Sequence, residues 1–286
     1  MNNQPLLSVV IANYNYGRFL DEAIQSLLSQ SCQDFEIIIC DAASTDNSVD
    51  IIRKYEDRIA WWCSEKDGGQ SAAFNKGFSH AHGRFLTWLN ADDVMLPGTI
   101  EKLKNAAEKW PEQKWWVGGV MWLNKDLTVR LCARGRNFSD LRAKRGVISV
   151  WGPCSFFTKD LLDTVGGVDE RYFYCMDNNL WLKFFFNAGV RYRPFANYVW
   201  GLRIHEDAKM SAHNFAASGQ QDPDHPKWKR LRQEGLWNQE IHGFHREMNK
   251  IEQLITLSPI PSLLSRFDTW RNEGKHYLNT EYGGQS

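Results

Sequence analysis

The chain has 286 residues, 43% of them hydrophobic, enough to fill one large α/β domain or one domain with an appendage. Lys plus Arg and Asp plus Glu number 34 each, which excludes both a global basic field for nucleic acid and the acidic excess of a disordered chain. Whatever binds here is recognised locally.

Residues 1–5 lack the positive start and apolar run of a signal peptide, and no apolar stretch approaches the roughly 18 residues of a membrane span, so a cytoplasmic location is expected. The six cysteines are scattered without a C-x-x-C pair and read as reduced, buried small hydrophobes. The 13 Trp read chiefly as packing, with stacking on sugar rings or contact with a membrane interface as the functional alternative.

In chain order, residues 6–11 form a continuous apolar run suited to a strand buried on both faces. Phe19, Leu20, Ala23, Ile24, Leu27 and Leu28 then recur with helical spacing, and 35–40 is a second apolar run ending at Asp41. A third unit places Val49, Ile51, Ile52 and Tyr55 on a helix and 59–63 in a strand; 72–78 reads as helix and 85–89 as strand. This alternation predicts an α/β, doubly wound, mostly parallel sheet. From Met121 the pattern changes: 121–123 and 128–133 flank a hairpin turn at Asn124-Lys125-Asp126, and the basic stretch 134–145 reads as a loop. Residues 147–157 look extended, 159–165 helical, and Gly166-Gly167 stops that helix. Asp177 precedes a helical stripe of Leu180, Trp181, Phe184 and Phe185, closed by Gly189. Beyond Ala208 the chain turns polar, with 219–229 loop-like and 237–255 helical.

In doubly wound sheets the ligand lies beyond the carboxyl ends of the strands. The segments there are 13–17, 41–47, 64–71 and 90–93, all polar and rich in small residues or carboxylates. The sharpest is Trp88-Leu89-Asn90-Ala91-Asp92-Asp93, a buried strand ending in two adjacent acids. Such a pair repels unless a cation sits between its members, and a divalent metal answers that need; a cap on a helix starting near Pro97 would explain one acid only.

Ser8-Val9-Val10-Ile11-Ala12-Asn13-Tyr14-Asn15, Asp41-Ala42-Ala43-Ser44-Thr45-Asp46, Glu65-Lys66-Asp67-Gly68-Gly69-Gln70 and Leu89-Asn90-Ala91-Asp92-Asp93 together resemble the ordered motifs of the family 2 inverting glycosyltransferases, which have the GT-A fold. The resemblance covers about residues 7–211. It implies a nucleotide-sugar-binding half over 1–120, an acceptor-side α+β half carrying the base over 121–211, and leaves 212–286 as a mostly helical extension. It also implies donor binding by Ala12, Tyr14, Asp41, Ser44, Gln70, Asn75, Asn90, Asp92 and Arg203, with Tyr14 and Asp41 on the base. Asp46 reads equally as a helix cap or a ligand contact. A divalent ion, Mn2+ or Mg2+, would be held by Asp93 as the more direct ligand, with Asp92 and His205. Where the family often has a first aspartate, Asn90 brings an amide without charge.

Tyr174-Cys175-Met176-Asp177-Asn178-Asn179-Leu180-Trp181-Leu182-Lys183 resembles the family's late motif, which makes Asp177 the catalytic base; a helix N-cap is the plainer reading. Asn179 stands where a second acid is frequent. Gly152-Pro153-Cys154-Ser155-Phe156-Phe157 and Gly166-Gly167-Val168-Asp169-Glu170 resemble acceptor-side segments, their glycines reading equally as turn residues, and Lys209 joins Arg203 as a candidate phosphate contact, with solvated surface charge as the default reading. The implied partners are a nucleotide-diphosphate sugar, UDP by default, and a glycan or lipid-linked acceptor, with no nucleic acid and peripheral membrane contact through the C-terminal segment as a minority expectation. The missing G-x-G-x-x-G argues against a dehydrogenase, and the missing Gly-rich basic loop after the first strand against a sugar nucleotidyltransferase. A decayed glycan- or nucleotide-binding scaffold is the non-enzymatic alternative, favoured by Asn90 and Asn179 and opposed by Asp41, Asp92, Asp93 and Asp177.

Overall fold

The computed structural model describes residues 4–144, 148, 150–172, 176–196 and 198–208. The expected extension over 212–286, its helix at 237–255 and Lys209 lie outside the described residues. The chain divides into two compact units: Met1–Met121 with Ala133–Phe138 and Ser149–Arg203, and Trp122–Cys132 with Ser139–Ile148 and Ile204–Ser286.

The first unit alternates strand and helix: β1 Leu7–Asn13, α1 Gly17–Leu28, β2 Phe35–Asp41, α2 Ser48–Lys54, β3 Trp61–Ser64, α3 Gln70–Ser79 and β4 Phe85–Asn90. β5 (Val94–Met95), α4 (Thr99–Lys109) and β6 (Trp115–Val117) follow, and β7 (Val120–Leu123) leads into the second unit. That unit holds β8 (Val129–Ala133, ending at the boundary) and α5 (Asp140–Lys144). The chain then returns through β9 (Ser155–Thr158), α6 (Lys159–Thr164), α7 (Met176–Phe186), β10 (Arg193–Pro194) and β11 (Trp200–Arg203).

A seven-stranded sheet runs β10-β6-β9-β4-β1-β2-β3. β1 is its centre, parallel to β2 and β4, and its apolar run is buried on both faces as the lack of alternation requires. β9 opposes both of its neighbours, so the sheet is mixed but mostly parallel. The register pairs Asn13 with Asp41, Ala12 with Asn90 and Asp41 with Ser64, gathering four polar strand ends on one edge. α3 presses on the sheet through Gly77, where an added Cβ would lie 2.3 Å from Val10 Cγ1 and 3.3 Å from Cys40 Sγ. α7 is seated by aromatics: Trp181 stacks on Trp88 at 5.4 Å and 7°, and Trp115, Phe157 and Phe184 close around it.

Within the second unit the Asn124 backbone N–H donates to the Thr128 carbonyl at 2.8 Å, with Leu127 left-handed at φ 63°, which is the expected hairpin. The basic stretch expected to be a loop contains α5: the Ala143 N–H reaches the Ser139 carbonyl, and Asp140 sits in the helix's first turn, where an acid is favoured. Among the described residues no helix is long and apolar enough to cross a membrane.

Candidate active site

At the ends of β1 and β2 the chain turns sharply, with Asn15 (φ 56°) and Ala43 (φ 55°) both left-handed. Asp41, 1% exposed, is the hub of this corner. Its Oδ1 accepts from Asn13 Nδ2 at 2.7 Å and from the Ser44 hydroxyl; its Oδ2 accepts from the Ser44 N–H at 3.0 Å and the Ser64 hydroxyl at 2.6 Å. Four donors from the chain thus meet the carboxylate that the resemblance places on the base. Ser44 is bound into the same hub and also accepts the Asn15 N–H at 2.8 Å. Tyr14 stands outside it, 61% exposed, with its ring presented to solvent. Asp46 is hydrogen-bonded within the chain: Oδ1 accepts the Ser48 N–H at the start of α2, whose N-cap is Asn47, and Oδ2 accepts the Gly17 N–H at 2.9 Å. Burial raises the Asp46 pKa, but the hydrogen bonds from Ser48 and Gly17 outweigh it and hold the carboxyl below its usual range.

At the end of β4, Gln70 Nε2 donates to Asn90 Oδ1 at 2.9 Å and Asn90 Nδ2 donates to Asp93 Oδ2 at 2.7 Å. Asp93 Oδ1 accepts the Arg203 backbone N–H at 2.9 Å. Asp93 is thus 3% exposed with both oxygens engaged, whereas Asp92 is half-buried. Burial, then the adjacent Asp92, push the Asp93 carboxyl well above the usual carboxylate range, against hydrogen bonds from Arg203, Asn90 and Trp200. Of the two acids, Asp92 is the more accessible. α4 begins at Thr99 with Gly98 as its N-cap, so neither acid caps that helix.

Two further expected donor-site residues have partners within the chain. The Arg203 guanidinium, expected on phosphate, pairs with Glu22 on α1 and lies 4.7 Å over the Phe19 ring. Asn75, expected on the donor, clasps the 165–172 loop: Nδ2 donates to the Val168 carbonyl and to Glu170 Oε1, both at 2.8 Å, and Oδ1 accepts the Val168 N–H. Ala12 is half-buried at the strand end beside Asn90. His205 is buried and belongs to the second unit, where its carbonyl accepts the Ala208 N–H. Among the described residues no group of three or more His, Cys, Asp or Glu side chains is arranged to hold a metal ion.

Asp177 is half-buried in the first turn of α7, and its Oδ1 accepts the N–H of Asn178 at 2.7 Å. That bond joins adjacent residues and is not the reach to a later N–H that defines a capping side chain. A Cβ added to Gly152 would lie 3.6 Å from Asp177 Oδ2 and 3.5 Å from the Trp88 indole, so backbone without a side chain borders the carboxylate. Trp151, next to this glycine, is an exposed aromatic. Sequence reasoning missed Glu22 and the hub role of Ser64, although the strand register that sets Ser64 opposite Asp41 carried the signal for the latter.

Residues 8–165 match the family described as Glycosyl transferase family 2. An uncharacterized glycosyltransferase of Rickettsia prowazekii is 30% identical over 63% of this chain and 59% of its own. The chain spans between about a third and three fifths of the length of the first curated relatives it matches. Among solved structures, Staphylococcus aureus TarS in complex with UDP superposes with a TM-score of 0.53 at 19% identity, over 69% of this chain and 60% of TarS. The mannosyltransferase PcManGT of Pyrobaculum calidifontis, solved with GDP-Man and Mn2+, superposes with a TM-score of 0.53 at 18% identity, over 98% of this chain and 86% of that one. These likenesses establish the GT-A fold. With more than half of its length inside the family match, the chain belongs to glycosyl transferase family 2.

Proposed function

We propose that the protein transfers a sugar, with inversion, from a nucleotide-diphosphate sugar to a hydroxyl of a glycan or lipid-linked acceptor on the cytoplasmic side of bacterial surface polysaccharide assembly, with UDP as the expected carrier. The observation that carries this reading is the gathering of Asn13, Asp41, Ser64 and Asn90 at one edge of the sheet, in a chain that belongs to a family of glycosyltransferases. Tyr14 offers its exposed ring as a stacking surface for the base. Asp41 positions the corner without touching the donor, and Gln70 and Asn90 do the same for the 90–93 turn.

The donor set suits a metal of one kind. Asp92 supplies a single carboxylate, which would suit a hard divalent ion that takes its remaining ligands from water and the diphosphate, and would not suit a closed protein cage. Bound there, such an ion would neutralise the charge that develops on the departing diphosphate. Asp92 is its holder in this proposal, and Asp93, buried and hydrogen-bonded, positions the turn.

Asp177 takes the proton of the acceptor hydroxyl at Oδ2, the oxygen that borders Gly152. The bare glycine lets the hydroxyl approach, and Trp151 supplies an apolar face for the acceptor. Asp177→Asn keeps size and shape but removes the proton acceptor. Transfer is expected to fall by about 100-fold or more with donor affinity unchanged, measured as kcat and donor Kd. Full activity in that variant would sink the base assignment.

A further inference from the structure

Ser71 and Asn75 stand four residues apart on α3 and so share one face of that helix. Both reach the chain that leads into α7. Asn75 grips Val168 at both of its backbone polar atoms, with Nδ2 donating to the carbonyl at 2.8 Å and Oδ1 accepting the N–H at 2.9 Å. The Ser71 hydroxyl, in a residue only 5% exposed, lies 3.2 Å from the Tyr172 carbonyl and 2.9 Å from Sδ of Met176, the first residue of α7 and the neighbour of Asp177. From α7 itself, Lys183 Nζ donates to the Gly167 carbonyl at 3.2 Å. An added Cβ at Gly167 would come within 3.0 Å of Asn75 Oδ1, so loop and helix touch with no side chain between them.

α3 is in turn fixed to the sheet and to the 90–93 turn. Its Gly77 leaves no room above Val10, and its first residue, Gln70, donates to Asn90 Oδ1 at 2.9 Å. One helix thus touches the turn that carries Asp92 at its start and holds the approach to Asp177 along its side. Asparagine is a weak helix former, because its amide competes for backbone groups, and at position 75 that tendency is turned outward onto Val168. A reacting group keeps its place when the residues around it are tied to a rigid element, and a misplacement of about 1 Å can cost on the order of 100-fold in rate.

Taking Asp177 as the base proposed above, on which this step rests, we infer that Ser71 and Asn75 are its positioning residues. They fasten the entry of α7 to α3 and so set where the Asp177 carboxylate stands relative to the donor-side turn. Neither side chain touches the reacting groups; each acts through the atoms it holds.

The test uses the full chain and two readouts. In hydrogen exchange of the ligand-free protein, Asn75→Ala is expected to speed exchange at Val168 and, like Ser71→Ala, in the first hydrogen-bonded turn of α7 by about tenfold or more, with β1 and β2 unchanged. Wild-type protection of that turn in both variants would overturn the inference. The second readout is nucleotide release from UDP-GlcNAc or GDP-Man with Mn2+, water standing in for the acceptor, beside the Kd for UDP or GDP by calorimetry. Asn75→Ala is expected to slow release about tenfold with Kd within about threefold of wild type, and to change the rate by less than about twofold in the Asp177→Asn background. A loss of rate matched by the loss of nucleotide affinity, or an Asn75→Ala effect of full size in the Asp177→Asn background, would overturn it. Ser71→Ala leaves both Val168 bonds in place and carries the same comparison if Asn75→Ala does not fold. Release by Asp177→Asn at the wild-type rate would instead remove the base on which the inference depends.

Discussion

Asp92 and Asp93 are neighbours in the chain but not in environment. Asp93 is enclosed and receives hydrogen bonds from Arg203 and Asn90, while Asp92 is half-buried. Asp93→Ala leaves the Arg203 N–H and the Asn90 amide without their buried acceptor, and is expected to lower stability by about 1–3 kcal/mol in urea unfolding. Asp92→Ala is expected to change stability by less than about 0.5 kcal/mol while weakening metal-dependent nucleotide binding. The opposite pattern would return the principal role to Asp93. Residue types at the strand ends were legible in the sequence, but their partners were not. Arg203 meets Glu22 at a separation of 181 positions and Asn75 meets Val168 at 93. No local pattern carries such pairings, so a polar side chain near a site could be read as a ligand contact when it holds a loop.

Strands and helices of the first unit were readable because continuous apolar runs and 3.6-residue spacing are local properties. The short α5 was not, since five residues give too little periodicity to separate a helical turn from a loop. Gly77 marks where two of these elements meet. An added Cβ there would come within 2.3 Å of Val10, whose branched side chain has little freedom to move, so Gly77→Ala is expected to destabilise by about 1–3 kcal/mol despite alanine's better helix propensity. A raised melting temperature in that variant would contradict the tight seating of α3. Beside it, Cys40 pairs in register with Cys63; burial first, then Cys63, push its thiol up to about 12 from 9.0. A folded pKa above the unfolded one gives stability that is complete below about pH 9 and is lost as pH rises toward 12. In the folded chain Cys40 is expected to resist iodoacetamide at pH 8 and react once unfolded, as mass spectrometry would report. Rapid native labelling would show the thiol to be accessible.

For the whole molecule, the family was legible because four motifs follow one another in order along the first unit and each lands at a strand end. What sequence could not supply was the electrostatic state of the corner they form, with Asp41 saturated, Asp93 sealed and Asp92 left accessible. In the proposed function that state leaves Asp92 to hold a divalent ion beside a nucleotide diphosphate at the carboxyl edge of the sheet. The most direct test is calorimetric titration of the wild-type chain and of Asp92→Ala with UDP and GDP, with and without Mn2+. The account predicts binding to at least one diphosphate that strengthens about tenfold or more with Mn2+ and loses that gain in Asp92→Ala. Absence of binding to either in both conditions, or a Mn2+ gain untouched by the substitution, would contradict it.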